Sequence, residues 1–333
     1  MSDLILQGSV VAQANVNIAL IKYWGKAPER GVWEQNLPAV PSLSLTLDGL
    51  QTETRVRFAP EAADDRVVLD GVTLEGGALE RCRPILERVR ELADLAAPFH
   101  VESTNRVPTA AGLASSASGA AALAAASSRC AGLTLSLEEL SALARLGSGS
   151  ACRSVFPAWS AWEGAHARPI AGPEHWDVAL VVAVIDAGPK SVGSRDAMNR
   201  TARTSPLYAG WVGSARADFE AGLRAVEARD LHALSIAMER STLRMHASAM
   251  GADPPILYWK PASLSVVEVV RELSTRGVPC GWTMDAGPNV KVLCEGSSAD
   301  EVREALAGIE GVTEVIVCGP GPGLQVAVER EAS

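Results

Sequence analysis

The chain has 333 residues, of which 47% are hydrophobic and 21% are charged. This composition is typical of a folded globular protein, and the length predicts about two domains. The formal net charge of −9 disfavours a polyanionic partner, so no nucleic acid is expected, although a local group of Lys and Arg can still bind a small anion.

The first residues, MSDLILQGSV, show neither the basic segment nor the apolar core of a signal peptide, and the six dispersed cysteines form no Cys-x-x-Cys pair. We therefore expect reduced thiols and a cytoplasmic location. An uncharged stretch at 107–128 is long enough to span a bilayer. Its alanines, serines and Pro108 instead predict a packed internal helix, so no membrane partner is expected.

The first half of the chain shows both strand and helix periodicity. Asp70-Gly71 between two short apolar runs predicts a two-residue hairpin. A helix entered from Ser115 and closed by Gly132 follows from the alanine-rich composition. The remaining elements predicted here are strands at 52–58 and 99–103 and helices at 79–95 and 137–146.

The apolar run VALVVAVI at 178–185 predicts a buried strand, and the segments after it carry apolar residues at helical spacing. We therefore divide the chain into an N-terminal domain, 1–185, and a C-terminal domain, 186–333. The mixed order predicts an α+β fold with a cleft between the domains. The elements predicted in the second domain are helices at 206–228, 231–250, 263–276 and 299–309 and strands at 280–284, 290–294, 313–318 and 325–328.

The segment PTAAGLASSASG, which begins at Pro108, is a turn of small residues that enters a helix. Such a turn directs unpaired backbone N–H groups and the positive helix end to one point, which suits a phosphate. Ser115, Ser116 and Ser118 add hydroxyl groups for phosphate oxygens or a metal ion. A closely packed Ala/Ser helix without a ligand is the alternative from these residues alone.

The segment NIALIKYWGK contains Lys22 after an apolar run. If this run is a strand, Lys22 faces the same side as Ile18 and Leu20, towards the core, where a lysine needs an anionic partner. The alternative is a lysine at the end of a strand that reaches solvent.

Two further segments contain candidate anion ligands. In GSGSACRS, read as a polar loop, Arg153 offers a guanidinium that matches a carboxylate or phosphate, or is simply solvated. In KSVGSRDAMNR, read as a second polar and basic loop, the candidates are Lys190, Ser194 and Arg195.

Asp285 ends a predicted strand before a Gly-Pro-Asn turn. It is either an ordinary turn residue or a base aimed into the cleft. The five histidines show no metal-ligand spacing, so a zinc site is not expected.

Taken together, NIALIKYWGK, PTAAGLASSASG, GSGSACRS and DAGPN, in this order and at these distances, closely resemble the diphosphomevalonate decarboxylase family of the GHMP kinase superfamily. The resemblance spans roughly residues 12 to 295. It implies a two-domain α+β GHMP kinase fold, with an N-terminal domain like ribosomal protein S5 domain 2, a ferredoxin-like C-terminal domain and the active site in the cleft. It also implies ATP-dependent decarboxylation of mevalonate 5-diphosphate to isopentenyl diphosphate, with ATP and Mg²⁺ as cofactors, and a homodimer.

The resemblance assigns roles residue by residue. Asp285 would orient or deprotonate the 3-hydroxyl group, Arg153 held by Asn17 would grip the substrate carboxylate, and Lys22 would lie near the transferring phosphoryl group. The implied substrate ligands are Tyr23, Lys26, Ser148, Ser150, Arg153, Ser194 and Arg195. The implied ATP ligands are Pro108, Ala110, Ala111, Gly112, Leu113, Ser115, Ser116 and Ser118, with Ser115 or Ser116 near Mg²⁺.

The chain departs from the family pattern at two places, Val40-Pro41-Ser42 and Gly193-Ser194, where the family carries serine-richer runs. Both lie where substrate or nucleotide contacts are expected. They leave open a phosphomevalonate decarboxylase that makes isopentenyl phosphate. A separate alternative is a mevalonate 3-kinase that releases no CO2, which the joint presence of Lys22, Arg153 and Asp285 disfavours.

Overall fold

The protein is represented by a computed structural model that describes residues 8–28, 31–106, 115–186, 188 and 192–329, with the backbone alone at Val32 and Ser115. The described residues form two β-sheets with helices between and outside them, which confirms the expected α+β class.

The first sheet has eight strands in the order β12-β1-β2-β5-β3-β4, with β6 on β2 and β7 on β6. Its long strands β1 and β2 pair antiparallel, and the register shifts between Asn15 and Asn17 and again between Ala19 and Ile21. Such bulges change where the following side chains point. The strands are β1 (Ser9–Ile21), β2 (Ser42–Phe58), β3 (Arg66–Leu69), β4 (Val72–Thr73), β5 (Phe99–Arg106), β6 (Trp159–Trp162), β7 (Ala167–Ala171) and β12 (Gln325–Glu329).

The second sheet has four antiparallel strands in the order β11-β8-β10-β9. Its strands are β8 (Val178–Val184), β9 (Cys280–Met284), β10 (Val290–Glu295) and β11 (Glu314–Cys318). The helices are α1 (Gly76–Leu79), α2 (Arg83–Ala93), α3 (Ser115–Cys130), α4 (Leu137–Gly147), α5 (Ser194–Thr204), α6 (Tyr208–Ala228), α7 (Leu231–Met250), α8 (Pro261–Thr275) and α9 (Ala299–Ala307).

Three apolar clusters stack these elements in layers. One cluster joins α2, α3 and α4 to a face of the first sheet, and a second joins the opposite face to α6, α7 and the second sheet. The third lies between the second sheet and helices α8 and α9. Strand β8 contributes to two clusters, because Leu180 and Val182 face one side and Val181 and Ala183 face the other.

Most of the predicted elements are present, and three predictions need correction. Asp70 and Gly71 form the predicted hairpin turn, both with positive φ. The predicted helix at 79–95 is interrupted between α1 and α2, where Pro84 occupies the first turn of α2.

The predicted polar loop GSGSACRS is instead a 3₁₀ helix, Gly149–Arg153, with most of its residues buried. The second predicted basic loop becomes helical at Ser194, because Ala197, Met198 and Thr201 give α5 a buried face.

Each sheet contains a strand from the other side of the predicted boundary at residue 185. Strand β8 precedes that boundary and lies in the second sheet, whereas β12, near the C-terminal end, pairs with β1 in the first sheet. Division into domains at 185 and 186 stays a prediction. Among the described residues, none of the helices combines the length and apolarity that a bilayer crossing requires.

The packing of α6 against the first sheet predicts a stability difference between two glycines of that helix. A Cβ at buried Gly222 would lie 2.8 Å from Ile21 Cγ1, whereas a Cβ at exposed Gly213 would meet nothing within 4 Å. We expect Gly222→Ala to lower the free energy of unfolding by about 1–3 kcal/mol through overpacking. Gly213→Ala should raise it by about 0.5–1 kcal/mol. Urea unfolding measures both, and equal effects would contradict this packing.

Candidate active site

One large cavity lies between the two sheets, with a volume of about 950 Å³. Residues distant in sequence line it together, from the end of β1, the 3₁₀ helix at 149–153, the start of α5 and the turn after β9. Of the predicted site residues, those on its wall are Asn17, Lys22, Tyr23, Lys26, Ser116, Ser148, Ser150, Arg153, Ser194, Arg195 and Asp285.

Asp285 lies between two lysines in this cavity. Its Oδ1 is 2.6 Å from Lys22 Nζ, and its Oδ2 is 3.1 Å from Lys291 Nζ. Both lysine side chains are almost fully buried, whereas a third of the Asp285 side chain is exposed. The solvent-reaching alternative for Lys22 is therefore wrong, and Asp285 lies in the cavity, as its functional alternative requires.

The electrostatics of this cluster keep Asp285 ionised. Burial by itself raises the pKa of the Asp285 carboxyl, but the charges and hydrogen bonds of Lys22 and Lys291 outweigh burial and hold that pKa well below its usual range. Burial lowers the pKa of the Lys22 ammonium, and Asp285 opposes this effect. The cluster can therefore present a carboxylate that accepts hydrogen bonds at neutral pH.

Arg153 is buried and held by side chains from both long strands of the first sheet. Its Nε donates to Asn17 Oδ1 at 3.1 Å and its Nη1 donates to Ser42 Oγ at 2.7 Å. Asn17 Nδ2 in turn donates to the Ser150 carbonyl oxygen and to Ser154 Oγ. These neutral partners leave the guanidinium charge available to an anion in the cavity.

Tyr23 and the serine segment 148–150 form a neighbouring wall. The Tyr23 ring lies against Trp162 with centroids 4.7 Å apart. A Cβ at Gly149 would lie 2.7 Å from Tyr23 Oη, so only glycine permits this close approach. Burial raises the pKa of the Tyr23 hydroxyl above its usual value, which keeps it a neutral hydrogen-bond donor.

The predicted ATP ligands are only partly described. Ser116 is exposed on the cavity wall at the start of α3, whereas Pro108, Ala110, Ala111, Gly112 and Leu113 lie outside the described residues, as does the side chain of Ser115. Ser118 is fully buried, with its Oγ 2.8 Å from Thr52 Oγ1. The helical turn directs Ser118 towards β2, and its contact with ATP stays a prediction.

A magnesium ion fits the chemistry at this end of the cavity. Within the described residues, no group of three or more His, Cys, Asp and Glu side chains could hold a metal ion. Mg²⁺, however, commonly binds through substrate phosphates and water with few protein ligands. The exposed Ser116 hydroxyl is an oxygen donor of the type that a phosphate-bound Mg²⁺ accepts.

Sequence reasoning missed several residues that organise the cavity. The sequence patterns identify neither Lys291 nor His246 as a site residue, and they mark Ser42 only as part of a departure from the family pattern. The single lysine within the otherwise apolar strand VKVLC could have indicated a buried lysine with an anionic partner, because lysine is rarely buried without one. For His246 the sequence contains no comparable signal.

Comparison with known proteins agrees with this geometry. A family model described as the diphosphomevalonate decarboxylase-like N-terminal domain matches residues 14–169, and one described as the mevalonate 5-diphosphate decarboxylase C-terminal domain matches residues 180–316. The chain belongs to the diphosphomevalonate decarboxylase family. The matched models confirm the two-domain arrangement of the GHMP kinase fold.

Individual relatives of the family cover nearly the whole chain. A diphosphomevalonate decarboxylase of Ganoderma lucidum is 35% identical over 89% of this chain and 80% of its own length. A solved complex of MDDEF with MVAPP, AMPPCP and magnesium has a TM-score of 0.89 and 41% identity, and the match covers 97% of this chain and 100% of that one. A mevalonate diphosphate decarboxylase from Staphylococcus aureus has a TM-score of 0.90 and 37% identity, with 96% and 98% covered.

In this member of the diphosphomevalonate decarboxylase family, His246 supports the strand end that carries Asp285. Its Nε2 lies 3.1 Å from the carbonyl oxygen of Met284, and its ring contacts those of Tyr258 and Trp259 edge to face. Burial lowers the pKa of His246 to about 4, so the ring is neutral at pH 7 and Nε2–H donates to the carbonyl.

This lowered pKa predicts a pH dependence of stability. Unfolding restores an ordinary pKa near 6.5, so between pH 6.5 and 4 the unfolded state binds more protons and stability falls as pH falls. Between pH 7 and pH 5, we expect the wild type to lose about 2 kcal/mol more unfolding free energy than His246→Gln. The control is His232→Gln, an exposed histidine on the same helix, which should follow the wild type in urea unfolding. Parallel curves for wild type and His246→Gln would contradict the prediction.

Proposed function

We propose that the protein catalyses the ATP-dependent decarboxylation of mevalonate 5-diphosphate to isopentenyl diphosphate, with release of CO2, ADP and phosphate. The observation that carries this proposal is the placement of a clamped carboxylate, Asp285, in the same cavity as a buried guanidinium, Arg153. Family membership supports it, since MVAPP and the ATP analogue AMPPCP occupy a solved relative together.

The cavity suits a substrate with two anionic ends. The Arg153 guanidinium can form parallel hydrogen bonds with the substrate carboxylate. A diphosphate needs cations and hydrogen-bond donors, and the lining of the same cavity contains Lys26, Arg195 and the hydroxyl groups of Tyr23, Ser148 and Ser150.

The chemistry requires a tertiary hydroxyl group to become a leaving group. The oxygen of the 3-hydroxyl forms a bond to the γ-phosphorus of ATP as the bond to the bridging oxygen breaks, and ADP leaves. The bond between C3 and the phosphorylated oxygen then breaks, and its electrons leave on phosphate. The bond between the carboxylate carbon and its neighbouring carbon breaks as well. Its electrons form the new double bond between that neighbour and C3, and CO2 leaves.

Asp285 and Lys22 have complementary parts in the first step. The carboxylate accepts the hydrogen bond of the 3-hydroxyl and takes its proton as the phosphorus–oxygen bond forms. The Lys22 ammonium, 2.6 Å from Asp285 Oδ1, stabilises negative charge that develops on the transferring phosphoryl oxygens. Positioning and charge stabilisation provide most of the rate in phosphoryl transfer, so no covalent enzyme intermediate is required.

We place ATP at the start of α3, with its phosphates towards Ser116. A helix N-terminus favours phosphate through its unpaired N–H groups. Mg²⁺ bound to the phosphates would neutralise their charge, with Ser116 or Ser115 as the protein oxygen ligand.

One of the two departures from the family pattern bears on the alternatives. Ser42 accepts a hydrogen bond from Arg153, which supports assigning this departure to the carboxylate end of the substrate rather than to its diphosphate end. On this assignment, the departure at 40–42 does not count against the 5-diphosphate as substrate. The joint presence of Asp285, Lys22 and Arg153 favours decarboxylation over simple 3-phosphorylation.

An assay with separate substrates tests the function. Purified protein with ATP and Mg²⁺ is offered mevalonate, its 5-phosphate and its 5-diphosphate, while CO2 and ADP are both measured. We expect equal amounts of CO2 and ADP with the 5-diphosphate only. ADP without CO2 would indicate a 3-kinase, and CO2 mainly from the 5-phosphate would indicate a phosphomevalonate decarboxylase.

Asp285→Asn keeps the size of the side chain but removes its charge. We expect kcat to fall by about 10³-fold or more, because the hydroxyl group loses its base, while ATP binding changes little. Single-turnover kinetics and ATP titration measure the two quantities. Asp300→Asn, at a side chain that is 91% exposed, is the matched control and should keep wild-type turnover. Near wild-type turnover in Asp285→Asn would refute the assignment.

We also propose a cytoplasmic homodimer. Helix α7 supports a dimer because Ile236, Leu243 and Met250, at seven-residue spacing, form an exposed apolar stripe along it. A second copy that covers this stripe would remove apolar surface from water.

The stripe predicts how a charged substitution changes the oligomeric state. The wild type should sediment at about 70 kDa, twice the 34.8 kDa of one chain. Leu243→Lys should sediment near one chain mass, because a charge at the stripe would be buried without a partner. Leu92→Lys, at an exposed leucine on α2, is the control and should stay dimeric. A wild-type protein of one chain mass would contradict the dimer.

A further inference from the structure

Lys291 occupies a position where a strand of this kind normally carries an apolar side chain. It is the second residue of β10, an inner strand that pairs with β8 on one side and β9 on the other, and it lies opposite Val182 and Thr283. Only 4% of its side chain is exposed, and the other residues at 290–294 are buried and apolar. A lysine in this place therefore requires a specific reason.

The contacts of Lys291 are few and local. Its Nζ lies 3.1 Å from Asp285 Oδ2 and donates to the Asn289 carbonyl oxygen at 3.2 Å. The first contact joins β10 to the turn after β9, and the second fixes the ammonium on the same turn. Removing the Lys291 charge from water costs more free energy than one such ion pair contributes. Stabilisation of the fold therefore does not explain the pair.

The geometry around Asp285 is that of a clamp with two sides. Lys22 Nζ contacts Oδ1 and is itself fixed by the Ala19 carbonyl oxygen at 2.9 Å, while Lys291 Nζ contacts Oδ2. Each oxygen has its own anchored cation, so rotation of the carboxylate breaks at least one contact. A single lysine would leave this rotation free.

We propose that Lys291 is a positioning residue for the decarboxylation: it fixes the orientation of the Asp285 carboxylate and keeps it ionised while the hydroxyl group of the substrate is phosphorylated. This inference deepens the proposed function and rests on it. Lys291 acts through Asp285 and needs no contact with the substrate.

Four groups near Asp285 determine how its charge responds to pH. Lys22 approaches from the end of β1, Lys291 from β10 and Arg153 from the 3₁₀ helix, whereas His246 approaches from α7. His246 is neutral at pH 7, and Arg153 already has neutral partners. Among the described residues, the two cations in direct contact with the Asp285 carboxylate are therefore Lys22 and Lys291.

The test compares Lys291→Met with wild type, since methionine has a similar length and suits the apolar strand. We expect kcat to fall by about 10- to 100-fold through loss of orientation, with KM for both substrates changed less than about twofold. The acid limb of the kcat/KM profile should move to higher pH, because the carboxylate loses one of its two cations. The urea midpoint should not fall, because a buried charge has been replaced by an apolar group.

Two further variants separate positioning from packing. Leu293→Met changes a buried residue on the same face of β10 and should leave kcat and the acid limb unchanged. In an Asp285→Asn background, adding Lys291→Met should cost no further activity, because the residue through which Lys291 acts is already lost.

Each contrary result overturns the proposal. Wild-type kcat and acid limb in Lys291→Met would show that Lys291 does not position Asp285. Stability and activity that fall together, or a variant that does not fold, would make Lys291 structural. If the wild-type protein releases no CO2, the proposed function is contradicted, and the role of Lys291 is contradicted with it. If the wild type is active and Lys291→Met is equally active, only the role of Lys291 is contradicted.

Discussion

The contact on which the site depends is the pairing of the Asp285 carboxylate with the ammonium of Lys22. These residues are 263 positions apart, one at the end of a strand of the first sheet and the other after a strand of the second. The Lys22 ammonium is almost fully buried and needs this partner, since an unpaired buried charge is strongly unfavourable. The pair therefore requires the two sheets to keep one relative position, which also defines the cavity.

The surrounding structure limits movement of both partners. Helix α7 contacts both: Ser241 Oγ accepts the backbone N–H of Lys22, and His246 donates to the Met284 carbonyl oxygen just before Asp285. In the same cavity, Asn17 and Ser42 hold Arg153 from two paired strands. Rigid elements thus fix a guanidinium and a carboxylate in one cavity, and fixed groups of this kind are what efficient positioning of a substrate requires.

Local sequence patterns predicted the helices and strands well where periodicity was strong, as in α7 and β8. They failed at Gly149–Arg153 and Ser194–Thr204, which contain many polar residues and were read as loops. In the first, buried side chains satisfy the backbone: Asn17 donates to the Ser150 carbonyl oxygen and Ser141 to that of Cys152. Composition alone does not show such distant partners.

By itself, the sequence determined the α+β class, the family and eleven residues of the cavity wall, because the ordered motifs and the apolar periodicity are properties of the chain. Only the tertiary structure decided that Lys22 and Asp285 are paired, that Lys291 joins them and that Ser118 faces β2. The reason is physical: burial and charge pairing depend on which remote segments meet, and local spacing constrains only neighbours along the same strand or helix.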